Sequence, residues 1–252
     1  MLKSFLKRTK LYAPARKVYY RTYRKFFPTV GDLDERYNRQ LIEVMRRTLK
    51  LASTAIDIGA HRGLILHEMF AIAPQGRHFA FEPIPQLAET LMRDYPQARV
   101  YSTALGDQSG WATFHYFPNA PAESGLKLHR THVLNPGNEE LTVQVRRLDE
   151  IIPADERIAL IKIDAEGAEL PIIRGGLTTI RRCRPLIIFE TGRNTTPFYG
   201  VGPDDIFDTV VGNLEMSLST MSRWLEGKGS SYTKAGFRKN YEHGKDWYFI
   251  AY

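Results

Sequence analysis

Apolar positions along this chain recur with helical spacing in some stretches and fall into short unbroken runs in others, which predicts helices alternating with buried strands. Leu41, Ile42, Met45 and Leu49 share one face of a predicted helix over 34–51, with Asp34 available as its cap. Residues 55–58 read as a short buried strand, 64–73 as a helix ended by Pro74 and Gly76, and 78–81 as a second strand. A helix over 85–94, with proline in its first turn, and a strand over 99–101 continue the alternation. Strands at 112–117 and 141–147 flank a loop rich in Pro, Asn, Gly and Ser, and together form a hairpin insertion. Residues 158–163 and 186–189 are nearly all apolar, as strands covered on both faces are. A helix over 204–211 and strands at 215–220 and 247–251, the last two joined by a long polar and aromatic loop, complete the prediction. The alternation implies an α/β fold with a doubly wound, mostly parallel sheet. No internal repeat or linker interrupts it, so the expected organisation is an extension over 1–30 followed by one domain over 31–252.

The chain has 252 residues, 43% of them apolar, which suffices for one sizeable core. Its formal net charge of +7 is not spread evenly. Residues 1–27 hold nine Lys or Arg and no Asp or Glu, so the remainder is slightly acidic. That basic segment is interleaved with Phe5, Leu6, Tyr19, Tyr20, Phe26 and Phe27, a composition that suits an anionic membrane surface and equally a solvated helix lying on its own domain. Nucleic acid is a poor partner for a body that is not basic. One cysteine, Cys183, forms no internal disulfide and lacks the pattern of a nucleophile. A cytoplasmic protein, docked peripherally at a membrane in one reading, is the expectation.

In a doubly wound sheet, ligands bind beyond the carboxyl ends of the strands. The first strand is followed by Asp57-Ile58-Gly59-Ala60-His61-Arg62-Gly63, whose glycines allow a tight turn and close approach of a ligand. His61 and Leu64 stand where a dinucleotide fingerprint needs glycine, and Asp57 would repel a pyrophosphate but attract an ammonium. Glu82 ends the second strand at the distance expected of a carboxylate that binds both hydroxyls of a ribose, and Pro83 follows it. Ala104, Leu105, Gly106 and Asp107 follow the third, with small and apolar residues to flank an adenine and a carboxylate to accept from its amino group. The ordered set favours a zwitterionic, nucleoside-bearing ligand.

These stretches, with Arg147-Leu148-Asp149-Glu150, Ile161-Lys162-Ile163-Asp164-Ala165-Glu166-Gly167-Ala168-Glu169 and Arg184-Pro185-Leu186-Ile187-Ile188-Phe189-Glu190, resemble the FkbM-like S-adenosyl-L-methionine-dependent methyltransferases. The resemblance covers 55–190 and is most specific over 162–169. It implies a class I methyltransferase fold, a seven-stranded sheet whose last strand is antiparallel, S-adenosylmethionine as cofactor, and usually a hydroxyl acceptor. Asp57, Gly59, Ala60 and Gly63 would then hold the methionine end, Glu82 and Pro83 the ribose, and 104–107 the adenine side. The first 50 residues and the loops at 118–140 and 192–203 carry no family signature.

Methyl transfer to oxygen needs alignment and removal of the acceptor proton. Asp164, Glu166 and Glu169 after one strand and Glu190 after the next form a carboxylate cluster in which crowding would raise a pKa towards neutrality. Asp164, Glu190 and Glu166 are the candidate catalytic residues, and Asp164 also a cofactor contact. A structural alternative has Glu169 supporting a helix dipole and Glu166 capping backbone amides. His129 and His132 read as acceptor-loop residues, not metal ligands. Trp224, Tyr232, Phe237, Tyr241 and Trp247 suit either core packing or stacking on a sugar. The expected acceptor is a hydroxyl of a sugar in a glycolipid, polysaccharide or secondary metabolite. A nicotinamide-dependent dehydrogenase and a non-catalytic docking module are the alternatives.

Overall fold

The computed structural model describes residues 32–227 and 231–252. The basic segment 1–27 and residues 228–230 of the Gly227-to-Ser231 stretch, expected to be a flexible connector, lie outside the described residues. The chain divides into two compact units, Met1–Arg39 and Gln40–Tyr252, and α1 (Asp32–Thr48) crosses the division. Asp34 lies within α1 and not before it as a cap would. No helix among the described residues is long and apolar enough to cross a membrane.

Within the second unit, β1 (Thr54–Ile58), α2 (Leu64–Ile72), β2 (Phe79–Phe81), α3 (Pro85–Asp94) and β3 (Arg99–Tyr101) alternate as the apolar pattern predicts. Next come β4 (Ala104–Leu105), β5 (Gly110–Tyr116) and β6 (Glu139–Arg146). They are followed by α4 (Leu148–Ile151), β7 (Ile158–Ile163), α5 (Glu169–Gly175), α6 (Leu177–Cys183) and β8 (Leu186–Glu190). The chain ends with α7 (Pro203–Phe207), β9 (Leu218–Thr220), α8 (Met221–Leu225), α9 (Lys234–His243) and β10 (Tyr248–Ala251). Seven strands make one sheet in the order β3-β2-β1-β7-β8-β10-β9. Its first five members run parallel, and β10 is antiparallel to both neighbours. Every residue of β1 is buried, as are Leu160, Ile161 and Ile163 of β7, which is what central strands covered on both faces require.

Three expectations need correction. The hairpin β5/β6 forms, but β4 joins it, parallel to β6, in a separate three-stranded sheet. The predicted helix over 204–211 is the short α7 followed by a wider π-helical turn over 208–213, and the strand expected from 215 begins only at Leu218. Glu215 has a left-handed backbone (φ 53°) unsuited to a strand, and Arg184 donates to the carbonyls of Leu214 and Glu215 just before it. The long loop before the last strand contains α8 and α9. Thr233 caps α9 by accepting from Gly236 N at 3.2 Å, and Gly244, at φ 58°, ends it. Phe237 of α9 is wholly buried against Phe249, ring centroids 5.1 Å apart, so two of the aromatic residues that suited sugar stacking, Phe237 and Tyr241, belong to the core.

Candidate active site

Parallel pairing carries the ends of β1, β2, β7 and β8 to one edge of the sheet, and with them Asp57, Glu82, Asp164 and Glu190. Because β10 is antiparallel, its first residue, Tyr248, arrives at the same edge, in register with Glu190. The sheet thus converts residues more than a hundred positions apart into neighbours.

The turn after β1 is shaped by glycine. Gly59 has φ 72°, and a Cβ there would stand 1.9 Å from the backbone oxygen of Asp164. Only a residue without a side chain lets this turn lie against the end of β7, where Asp164 N also donates to Ile58 O at 3.1 Å. Gly63, at φ 75°, abuts Leu91 and Tyr95 of the α3 region in the same way. Glu82 ties the turn to β2: its carboxylate accepts from His61 N at 2.7 Å and Ile84 N at 2.9 Å. Burial pushes Glu82 up to about 7 despite those two amides, and burial with the nearby Arg62 and Lys162 charges pushes His61 down to about 4. The His61 ring is therefore neutral at physiological pH, and its role in the turn is carried by its backbone.

Lys162, in register with Asp57, is the residue that sequence reading missed. Its Nζ lies 3.4 Å from both Asp57 and Asp164 and donates to the carbonyls of Gly59 at 3.0 Å and Ile58 at 3.3 Å. Burial opposes its charge, yet the two carboxylates hold the ammonium above its ordinary pKa. Asp57 is wholly buried, and neither of its oxygens has a hydrogen-bond partner besides this ion contact; desolvation raises its pKa. Its partner is Lys162, not the ligand ammonium expected from its place in the turn. Asp164, whose side chain is 28% exposed, is the more accessible carboxylate.

Tyr248 donates to Asp164 at 2.8 Å, and Glu190 lies close enough to the same carboxylate for each to shift the other. Burial and the adjacent Asp164 charge drive Glu190 well above the usual carboxylate range. Burial opposes ionisation of Asp164 too, but Lys162, Glu190 and Tyr248 together hold it low. The opposed directions favour a single proton held by the pair over two full charges side by side. Glu166 sits at the left-handed φ of 51° and meets His129 Nε2 at 3.5 Å. His129 reaches it from the insertion between β5 and β6, and its Nδ1 faces Lys127 O at 3.0 Å, so both ring nitrogens face acceptors and the imidazolium is favoured. His132 stays at the surface beside Glu123. Among the described residues, no group of three or more His, Cys, Asp or Glu is arranged to hold a metal.

Glu169 belongs to the scaffold: it opens α5 as the acidic residue of its first turn, as the structural alternative has it, and it, not Glu166, accepts from backbone amides, those of Ala165 at 2.9 Å and Gly167 at 3.1 Å. Burial pushes it up to about 8. Between pH 4.5 and 8 the unfolded carboxyl loses its proton while the folded one keeps it, so its contribution to stability falls as pH rises through that window. Glu169→Gln keeps an acceptor oxygen and removes the titration. Urea unfolding at pH 5 and pH 8 is expected to show a smaller pH-dependent loss in Glu169→Gln than in the native protein; equal losses would contradict this assignment.

The expected adenine segment is only partly at this edge. Ala104 and Leu105 are buried in β4, and the carbonyl of Gly106 lies against Gly175, at the opposite end of α5 from Glu169. Asp107 is exposed beyond it. Gly106 continues the pairing of β4 with β6, its N donating to Arg146 O at 3.1 Å. Ala60 is buried in the turn, donating to Phe81 O at 3.1 Å, and Pro83 is half-buried beside Glu82.

The fold is that of a class I S-adenosylmethionine-dependent methyltransferase. It superposes with a TM-score of 0.51 on the crystal structure of Methyltransferase FkbM from Methylobacillus flagellatus KT, with 17% sequence identity over 81% of this chain and 44% of that one. The Methyltransferase FkbM domain family matches residues 57–237, and the chain belongs to that family, which sets aside the dehydrogenase alternative. Relatives include Methyltransferase sdnD of Sordaria araneosa, 29% identical over 48% of this chain and 59% of that protein. Another is 2-O-methyltransferase NoeI of Sinorhizobium fredii (strain NBRC 101917 / NGR234), 26% identical over 58% of this chain and 65% of that protein. The chain thus spans less than two thirds of the length of either relative.

The methyl donor of this family is S-adenosylmethionine, and the residues present fit it. The glycine turn packs directly on the backbone of Asp164 and so sets the end of β1 beside the carboxylates at the end of β7. Glu82 and Asp164 offer carboxylates suited to ribose hydroxyls and to an ammonium, respectively.

Proposed function

We propose that this protein is an S-adenosylmethionine-dependent O-methyltransferase whose acceptor is a sugar hydroxyl of a glycolipid, polysaccharide or secondary metabolite. The observation that carries this reading is the Asp164, Glu166 and Glu190 cluster beside the glycine turn, with its charge balanced by Lys162 and His129. The 2-O-methyltransferase among the relatives supports oxygen as the acceptor atom. Gly59, Ala60, Gly63, Glu82, Pro83 and Asp164 would hold the cofactor, which when bound supplies an electrophilic methyl group on a sulfonium.

The chain's part is then to align the hydroxyl and to take its proton. Asp164 is held low by its partners and Glu190 is pushed well up by burial and by Asp164, which suits neither to the part of a base near neutral pH. Glu166 is the better base. Burial raises its pKa, and the His129 imidazolium keeps its carboxylate in place. Glu166 would take the proton of the acceptor hydroxyl as that oxygen becomes the nucleophile. Glu166→Gln is expected to lower kcat by about 10²–10⁴-fold while leaving cofactor affinity intact. Transfer of a labelled methyl group to a panel of sugar acceptors measures the first and titration calorimetry the second. Unchanged turnover in Glu166→Gln would remove it from this role, and no transfer by the native protein to any hydroxyl acceptor would favour a docking module.

A further inference from the structure

A cavity of about 290 Å³ opens beside α9, and none of the carboxylate cluster lines it. Lys239, Asn240 and His243 present one face of α9 to it, at the three- and four-residue spacing that aligns helix side chains. Arg223 and Tyr232 form the facing wall, and Lys245 lies past the end of the helix. No Asp or Glu is among the described residues lining it.

The cations are available. Among the described residues, no ion pair engages the side chain of Arg223, Lys239 or Lys245. Neighbouring Lys234 and Arg238, on other faces of the same helix, are by contrast neutralised by Asp204 and Asp208. The Arg223 guanidinium is held 4.8 Å above the centre of the Tyr232 ring, and Asn240 Nδ2 donates to Tyr232 Oη at 2.8 Å. These contacts fix a wall that carries a cation. Stabilisation of the helix dipole explains His243, whose Nδ1 meets Lys239 O at 2.6 Å, and Lys245 just past the end of α9, but not Lys239, which stands a full turn further in. Asp246 accepts from Asn240 at 3.1 Å beside the cavity, but the lining itself carries Arg223, Lys239 and Lys245 and no carboxylate among the described residues.

Position completes the argument. β9 is parallel to β8, since both are antiparallel to β10, so Arg223 follows a strand that ends at the same edge as Glu190. Asp246, which is bonded to Asn240 at the cavity, precedes Tyr248 by two residues, and Tyr248 binds Asp164. Two residues of extended chain span roughly 7 Å. We propose that this cavity binds a phosphate-class anionic group of the acceptor while the hydroxyl to be methylated lies at Glu166. The acceptor is then a phosphorylated sugar, as a free ester or on a lipid. This inference rests on the methyltransferase reading for its purpose, though not for its chemistry.

The full chain and a Lys239→Glu/Lys245→Glu variant, both surface changes, are titrated calorimetrically with inorganic pyrophosphate, with vesicles containing phosphatidylglycerol, and with S-adenosylhomocysteine. Arg223→Gln serves as an independent variant should the double change fail to fold. The expected result is a loss of affinity of about ten-fold or more for an anionic probe, with unchanged S-adenosylhomocysteine binding. A loss confined to pyrophosphate assigns the site to a soluble phosphate ester, and a loss with vesicles assigns it to a lipid-linked one. Equal binding of both anionic probes by native and variant proteins, or none by the native protein, overturns the proposal. Failure of the native protein to bind S-adenosylhomocysteine would instead count against the methyltransferase reading, whatever the anionic probes show.

Discussion

Lys162→Met is expected to destabilise the protein by about 3–5 kcal/mol, because it strands a buried carboxylate in the centre of the sheet. Asp57 is wholly buried, its one ion partner among the described residues is Lys162 Nζ at 3.4 Å, and methionine supplies volume without charge. The same change removes the donor to the carbonyls of Ile58 and Gly59, so the cofactor turn loses its anchor as well. A second substitution, Asp57→Asn in the Lys162→Met background, should recover part of the loss, since a neutral amide is less costly to bury than an unpaired charge. Urea unfolding of the native, single and double variants measures this. A single-variant cost below about 1 kcal/mol would mean that the ion pair contributes no more than a surface pair does.

Gly59→Ala is expected to abolish cofactor binding with a smaller loss of stability. The backbone at φ 72° lies in the left-handed region, where a non-glycine residue costs about 1–2 kcal/mol. The added Cβ would stand 1.9 Å from Asp164 O, so the turn after β1 and the end of β7 must also separate. Displacement by about 1 Å can cost on the order of 10²-fold where alignment matters. Glu82 would move with the turn through its bond to His61 N. Circular dichroism should report a folded chain, and calorimetry with S-adenosylhomocysteine no detectable heat of binding.

Much of the sheet was legible because its strands are short apolar runs bounded by clear breakers: β7 and β3 match their predicted limits residue for residue, as does α3 with its first-turn proline. The insertion's hairpin was legible too, but its union with β4 was not, because a two-residue strand carries no periodicity. α8 and α9 escaped because α9 contains Gly236 and follows a stretch rich in glycine and serine; the signals that mark it are Thr233 before it and Gly244 after it.

The candidate site was legible at the strand ends, where Glu82, Asp164 and Glu190 lie together as expected. Lys162 was hidden inside an apolar run that reads as a fully buried strand. A charged residue in such a run is itself a signal, since it must find a partner, and Asp57 sits in the equivalent setting one strand away. Which partner it finds depends on register, and register between strands separated by a hundred residues is a property of the folded sheet. Tyr248 was out of reach for the same reason: its contact with Asp164 follows from β10 lying beside β8 in reverse.

Titration calorimetry of the full chain with S-adenosylhomocysteine, native against Gly59→Ala, tests the central claim most directly. The account predicts binding on the order of micromolar by the native protein, lost in Gly59→Ala while the fold is kept. No binding by the native protein, or equal binding by both, would contradict it.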